Sequence, residues 1–315
     1  MFKNVNISRY FSPVPHADDL AWLVDAEWYN FLYPDLRVGG LNAVEHYTEH
    51  GYKENRSPNP FFDAEFYLKE NPDVIAAGYS AIQHYLEHGF KEGRRPCGWL
   101  DSDKYFREYV ADGFDLSNGA MLRELLSGTE RGRAIPFLSS RHYARQADCV
   151  FEGTLDALRH FLMYGIAEGH DPHPLIELKR LHLTGSVKEK ITQFRKLFEA
   201  SGEVHHISTH ELVRPEFYMK KHGKSKVHPV VDYLATWETL NRWVHPLFDG
   251  TYYSSAAELA DDQEPLSHYA TQSFDTSLRP NKFFDPGHYM RNYGQKLLPD
   301  QHPLNHYLEW GHTIW

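Results

Sequence analysis

The stretch Asp63-Ala64-Glu65-Phe66-Tyr67, followed by Asn71-Pro72-Asp73-Val74 and Gln83-His84-Tyr85-Leu86-Glu87-His88-Gly89, decides the reading, because the chain carries the same phrase 38 residues earlier. There it is Asp25-Ala26-Glu27-Trp28-Tyr29, Tyr33-Pro34-Asp35-Leu36 and Glu45-His46-Tyr47-Thr48-Glu49-His50-Gly51. Working outward, the phrase restarts at Asp101, Ser139, Arg214, Asp249 and Asp285, and a worn copy fits at Glu177. Four residues after these eight starts stand Tyr29, Tyr67, Tyr105, Tyr143, Leu181, Tyr218, Tyr253 and Tyr289. A tyrosine in all copies but one fixes the register, and a period of this length marks a repeat array.

One unit reads as two helices. The aspartates Asp25, Asp63, Asp101, Asp249 and Asp285 suit an N-cap, where a carboxylate accepts from the free N–H groups of the first turn. Asn71-Pro72 stops the first helix, since the residue before proline is pushed out of the helical region. A second helix starts after a cap at Asn42, Ser80 or Thr154, or with Pro265 or Pro303 at its first position. Ile82, Tyr85 and Leu86 share one face by three-four spacing, and Gly51, Gly89, Gly165 and Gly311 stand where a left-handed C-terminal cap is wanted. The polar run from Lys91 to Pro96 then turns toward the next start. In the worn fifth copy, Lys188 to Ala200 occupies the place of the second helix, with Gly202 as its stop. A unit this small cannot bury its own aromatic face, so neighbours must stack. The expectation is an all-α fold: a single array of about eight helix pairs over residues 25–315, solenoid-like or superhelical, after an N-terminal extension of residues 1–24. No alternating apolar run supports a sheet, and no strand-glycine-helix phrase supports a nucleotide fold.

Composition agrees with a folded chain that avoids nucleic acid. At 315 residues, 41% hydrophobic and 24% charged, it can bury a core. The net charge is −10 without a basic run, whereas a nucleic-acid footprint needs clustered Lys and Arg. Only two cysteines occur, Cys97 and Cys149, in unlike surroundings, so neither a disulfide framework nor a paired-cysteine metal site is indicated. The first ten residues hold no apolar signal core, and no run approaches the roughly 18 apolar residues of a membrane span. A cytoplasmic location is expected. The surplus of 20 Tyr, 19 Phe, 7 Trp and 21 His is accounted for by the repeat.

The phrase Phe62-Asp63, Phe66-Tyr67-Leu68, Asn71-Pro72-Asp73-Val74, His84-Tyr85-Leu86, Gly89, Glu92-Gly93-Arg94 and Pro96 resembles a bacterial helical repeat of this length. That repeat accompanies glycosyltransferase domains, including rhamnan-synthesis-type proteins, in surface-polysaccharide biosynthesis. The likeness runs nearly throughout from residue 25, strongest in the second, seventh and eighth copies and weakest in the third, fifth and sixth. It implies a neighbourhood in capsule, lipopolysaccharide or exopolysaccharide assembly rather than a reaction, because the repeats leave no room for a transferase domain among them.

Chemistry-bearing candidates each meet a structural reading. Asp101-Ser102-Asp103 has the spacing of a carboxylate pair that holds a divalent ion and a sugar nucleotide. Asp101 nonetheless aligns with the caps Asp25 and Asp63, and no strand presents it. The second-helix histidines His46, His84, His160, His268 and His306, joined one turn on by His50 and His88, could pair on a metal. A residue repeated in five copies performs one task in each, which favours an inter-repeat hydrogen bond. Trp22, Trp28, Trp99, Trp237, Trp243, Trp310 and Trp315 could stack on sugars along one face, or pack in the core. The sequence therefore assigns no catalytic, cofactor or metal residue. The expected function is a non-catalytic scaffold docking a protein partner, with a glycan-binding array and a transferase hidden in the weak copies as alternatives.

Overall fold

The clear repeat starts are helix N-termini. Asp25, Asp63, Asp249 and Asp285 each accept a hydrogen bond from the N–H three residues on, that of Trp28, Phe66, Tyr252 and His288, at 2.8–3.1 Å. Ser139 does the same for His142. The computed structural model describes residues 17–100, 119–128, 135–199, 203–240, 242–272, 277–298 and 301–311, so Asp101, Asp103 and Tyr105 lie outside the described residues. Within them the chain is all-α, with no strand and only the isolated bridges Asn59 to Phe62 and His173 to Ile176.

The second repeat shows the plan: a first helix Ala64–Glu70, a one-turn helix Pro72–Ala76, then Ala81–His84 passing into a π-helical turn Tyr85–Gly89. The unit is thus more than a helix pair, because Pro72 starts a new turn as readily as it ends the old helix. Repeat one copies this with Ala26–Leu32, Asp35–Gly39, Ala43–His46 and Tyr47–Gly51, and repeat four with Ser140–Ala147, Thr154–His160 and Phe161–Gly165. One cap assignment shifts by a residue, and at Ser80 the N-cap position holds without a side-chain cap bond. Thr154 is the first helical residue after Gly153, and the Ser80 hydroxyl donates to Gln83 while Asn55 of the previous repeat accepts from the Ala81 N–H at 2.8 Å. In the worn copy the second helix is Val187–Arg195, capped by a reciprocal Ser186–Glu189 box.

In the second, seventh and eighth repeats the core is an aromatic triangle. Tyr67 meets Tyr85 edge-on at 5.7 Å, and Phe62 closes on both at 5.7 and 5.5 Å. Phe248, Tyr253 and Tyr269 repeat the figure, as do Phe284, Tyr289 and Tyr307. Edge-on rings this close add to the area they bury.

Neighbouring repeats are joined by backbone. The N–H of the cap residue donates to a carbonyl just before the next start: Asp25 to Pro58, Asp63 to Pro96, Glu177 to Thr209, Arg214 to Val244 and Asp249 to Pro280, all at 2.8–3.0 Å. Where the sequence suggested one array from residue 25, contacts divide the chain into two compact units, Met1–Glu168 and Gly169–Trp315, with four repeat starts in each. In the first unit the fourth repeat returns to the first: Arg159 bonds Asp25 (3.1 Å), Glu27 (3.3 Å) and its own neighbour Asp156 (3.0 Å). The 3-10 helix Ala17–Leu23, in the expected extension, packs on Ala120–Ser127 of the third repeat. In the second unit, Arg214 of the sixth repeat bonds Asn305 and Glu309 of the eighth.

Candidate functional site

The two columns read from sequence meet inside each repeat. The hydroxyls of Tyr29, Tyr67, Tyr143, Tyr253 and Tyr289 lie 2.6–3.0 Å from Nδ1 of His46, His84, His160, His268 and His306. The bond therefore ties the first helix to the second within one repeat, correcting the expected inter-repeat bond. Burial pushes the Tyr29, Tyr67, Tyr143 and Tyr253 hydroxyls well above the usual phenol range and Tyr289 up to about 12, so each keeps its proton to donate. Burial also lowers His46, His84 and His268, which favours neutral rings accepting at Nδ1.

The glycines serve this bond rather than a left-handed cap. Gly51, Gly89 and Gly165 are absent from the positive-φ positions, which fall four residues later at Asn55, Gly93 and Gly169. A Cβ at Gly51, Gly89 or Gly165 would overlap the hydroxyl of Tyr29, Tyr67 or Tyr143. Gly311 is likewise right-handed, and a Cβ there would strike the Tyr307 ring. The π turn and its bare backbone make the slot in which the hydroxyl lies.

A second polar column escaped the sequence reading. Four residues before the starts, Asn59 and Asn281 accept from the N–H two residues on through Oδ1 and donate to the carbonyls of Leu23 and Leu247, each two residues before the previous start. His173, His210 and His245 stand at the same place and accept through Nδ1. An imidazole Nδ1 imitates the amide oxygen, so Asn and His exchange there, which hides the column from a search for identical letters.

In the second unit two histidines of this column, His210 and His245, meet a third, His302, the N-cap residue of the helix Pro303–Trp310. His210, His245 and His302 are close enough to influence one another electrostatically, with desolvation pushing them down to about 4, 3 and 3. Each accepts a backbone N–H at Nδ1, which leaves the ring proton on Nε2 and makes that nitrogen a donor, not a metal ligand. Among the described residues no group of three or more His, Cys, Asp or Glu side chains is arranged to hold a metal ion. Beside them Glu211 accepts the His302 N–H at 2.6 Å, and desolvation pushes its carboxyl up to about 7.

The sixth repeat breaks the pattern, and there a cleft of 590 Å³ opens. Tyr218 donates to Asp232 at 2.6 Å instead of to a histidine, and Arg242 bonds both groups. The second helix, Pro229–Leu240, runs 12 residues without a π turn and brings Trp237 and Glu238 to the cleft. Trp243 joins them, its ring under the Lys221 ammonium at 3.4 Å and its N–H donating to His222. Of the tryptophans proposed as sugar platforms, Trp28 and Trp99 are buried, Trp310 is exposed elsewhere and Trp315 lies outside the described residues. Only Trp237 and Trp243 come together here.

No protein-family model, curated protein or solved structure matches this chain. The likeness to the polysaccharide-associated repeat therefore rests on the quoted residues alone. Among the described residues no helix is long and apolar enough to cross a membrane.

Proposed function

We propose that this protein is a non-catalytic helical repeat scaffold that docks a protein partner, in the cytoplasm, during bacterial surface-polysaccharide assembly. The observation that carries this reading is the Tyr–His bond: the residue types best suited to chemistry are engaged in the same structural contact in five repeats. Fold alone assigns no activity, so the pathway comes from the repeat's resemblance. Tagged protein recovered from its native host should bring down enzymes of polysaccharide assembly above an untagged control. Repeated recovery without any such enzyme would remove the pathway assignment. Purified protein should also leave sugar nucleotides intact, and turnover would refute the non-catalytic reading.

The aromatic cleft of the sixth and seventh repeats favours a second reading, glycan binding. It supplies indole faces and hydroxyl-bonding groups in one concavity. The array envisaged from scattered tryptophans becomes one site in this reading.

A further inference from the structure

We infer that the cleft between the sixth and seventh repeats is a binding site for a short, uncharged oligosaccharide, a placement that rests on the glycan-binding reading. Its volume, 590 Å³, falls within the roughly 300–1,000 Å³ of small-ligand sites. Its walls divide by chemistry. Trp237, with the face of Trp243 turned away from Lys221, offers a flat apolar surface on which the C–H side of a sugar ring stacks, while Glu238, Asp261, Thr251 and Ser254 offer oxygens for its hydroxyls.

Charge selects against anions. The one arginine of the lining, Arg242, is engaged by Asp232 and Tyr218; with Lys221 over the Trp243 ring, two cations stand against three carboxylates, Asp232, Glu238 and Asp261, so the balance of the cleft is acidic. A phosphate or uronate would be repelled, whereas a neutral hydroxyl can donate to Glu238 or Asp261. The platform is also fixed in advance. His222 Nε2 holds the Trp243 backbone, and the Lys221 ammonium covers its ring, so little ordering is left for the ligand to impose. Finally, the site coincides with the repeat whose Tyr–His pair is replaced. Departures from an otherwise consistent pattern are where function is expected.

The test is a glycan array probed with the full chain, carrying neutral, uronic-acid and phosphorylated oligosaccharides, followed by calorimetric titration of the strongest neutral binder. Neutral glycans should bind. Trp237→Ala and the pair Glu238→Gln with Asp261→Asn should each weaken binding about tenfold, close to 1.4 kcal/mol. Trp310→Ala should leave it unchanged, and circular dichroism should show all variants folded. Neutral binding that survives both cleft changes would overturn the site while leaving glycan binding intact. No binding to any glycan would remove the reading as well. Binding confined to uronic or phosphorylated glycans would overturn the uncharged class.

Discussion

A hydroxyl that crosses from one helix to another needs a place with no side chain, and that requirement links three columns of this sequence: Tyr67, His84 and Gly89. Gly89→Ala should cost about 1 to 3 kcal/mol through overpacking, less the fraction a helix gains by losing glycine. Adding Tyr67→Phe should return part of the loss, since the overlapping atom is gone, and a double-mutant cycle by urea unfolding would read that coupling. Additive losses would contradict the slot. The letters of all three columns were legible in sequence, yet their roles were not, because glycine after a helix has a commoner use and the π turn leaves no period of its own. The buried histidines carry a pH signature. His210, His245 and His302 have folded values below the ordinary 6.5, so the unfolded chain binds more protons as pH falls from 6.5 toward 4 and 3, and stability falls with it. Glu211 acts oppositely between 4.5 and about 7, its raised value favouring the fold as pH falls. The midpoint temperature should therefore drop most steeply near and below about pH 4.5, where the opposing contribution of Glu211 is spent and carboxylates held low by their partners, such as Glu177 and Asp285, lose stability along with the histidines. His302→Gln should flatten that slope in a calorimetric pH series.

At the scale of elements, a helix here starts at an aspartate whose side chain closes its own first turn while its backbone holds the next repeat. Asp63→Asn keeps the backbone bond and a capping oxygen, whereas Asp63→Ala loses the cap and should cost about 1 kcal/mol. Thermal unfolding of the pair separates these two contributions, and equal losses would mean the charge, not the cap, matters. These starts were readable because capping is local chemistry, decided within four residues. The one-turn helix Pro72–Ala76 was not, since proline both ends and begins helices and the sequence alone does not choose. The cleft was hidden for a different reason: it depends on one helix, Pro229–Leu240, running past the point where others turn, beside residues a whole repeat away.

Across the whole molecule, the described contacts that close each unit join residues 91 or more apart in sequence, beyond any window of local pattern. Arg159→Ala should leave Asp25, a nearly buried side chain, without its cation and cost about 1 to 3 kcal/mol. Hydrogen exchange should then quicken in both Ala26–Leu32 and Thr154–His160 while Ala64–Glu70 stays protected. Quickening confined to the fourth repeat would deny the return contact. That contact also sets a rule of inheritance for the gene. An open stack tolerates gaining or losing a period, because every junction is alike. A unit whose fourth repeat grips its first cannot: an added copy would carry Arg159 away from Asp25. Point changes within repeats are therefore the permitted route of divergence, and the sixth repeat, which keeps its tyrosine but has exchanged its partner, shows what that route produces.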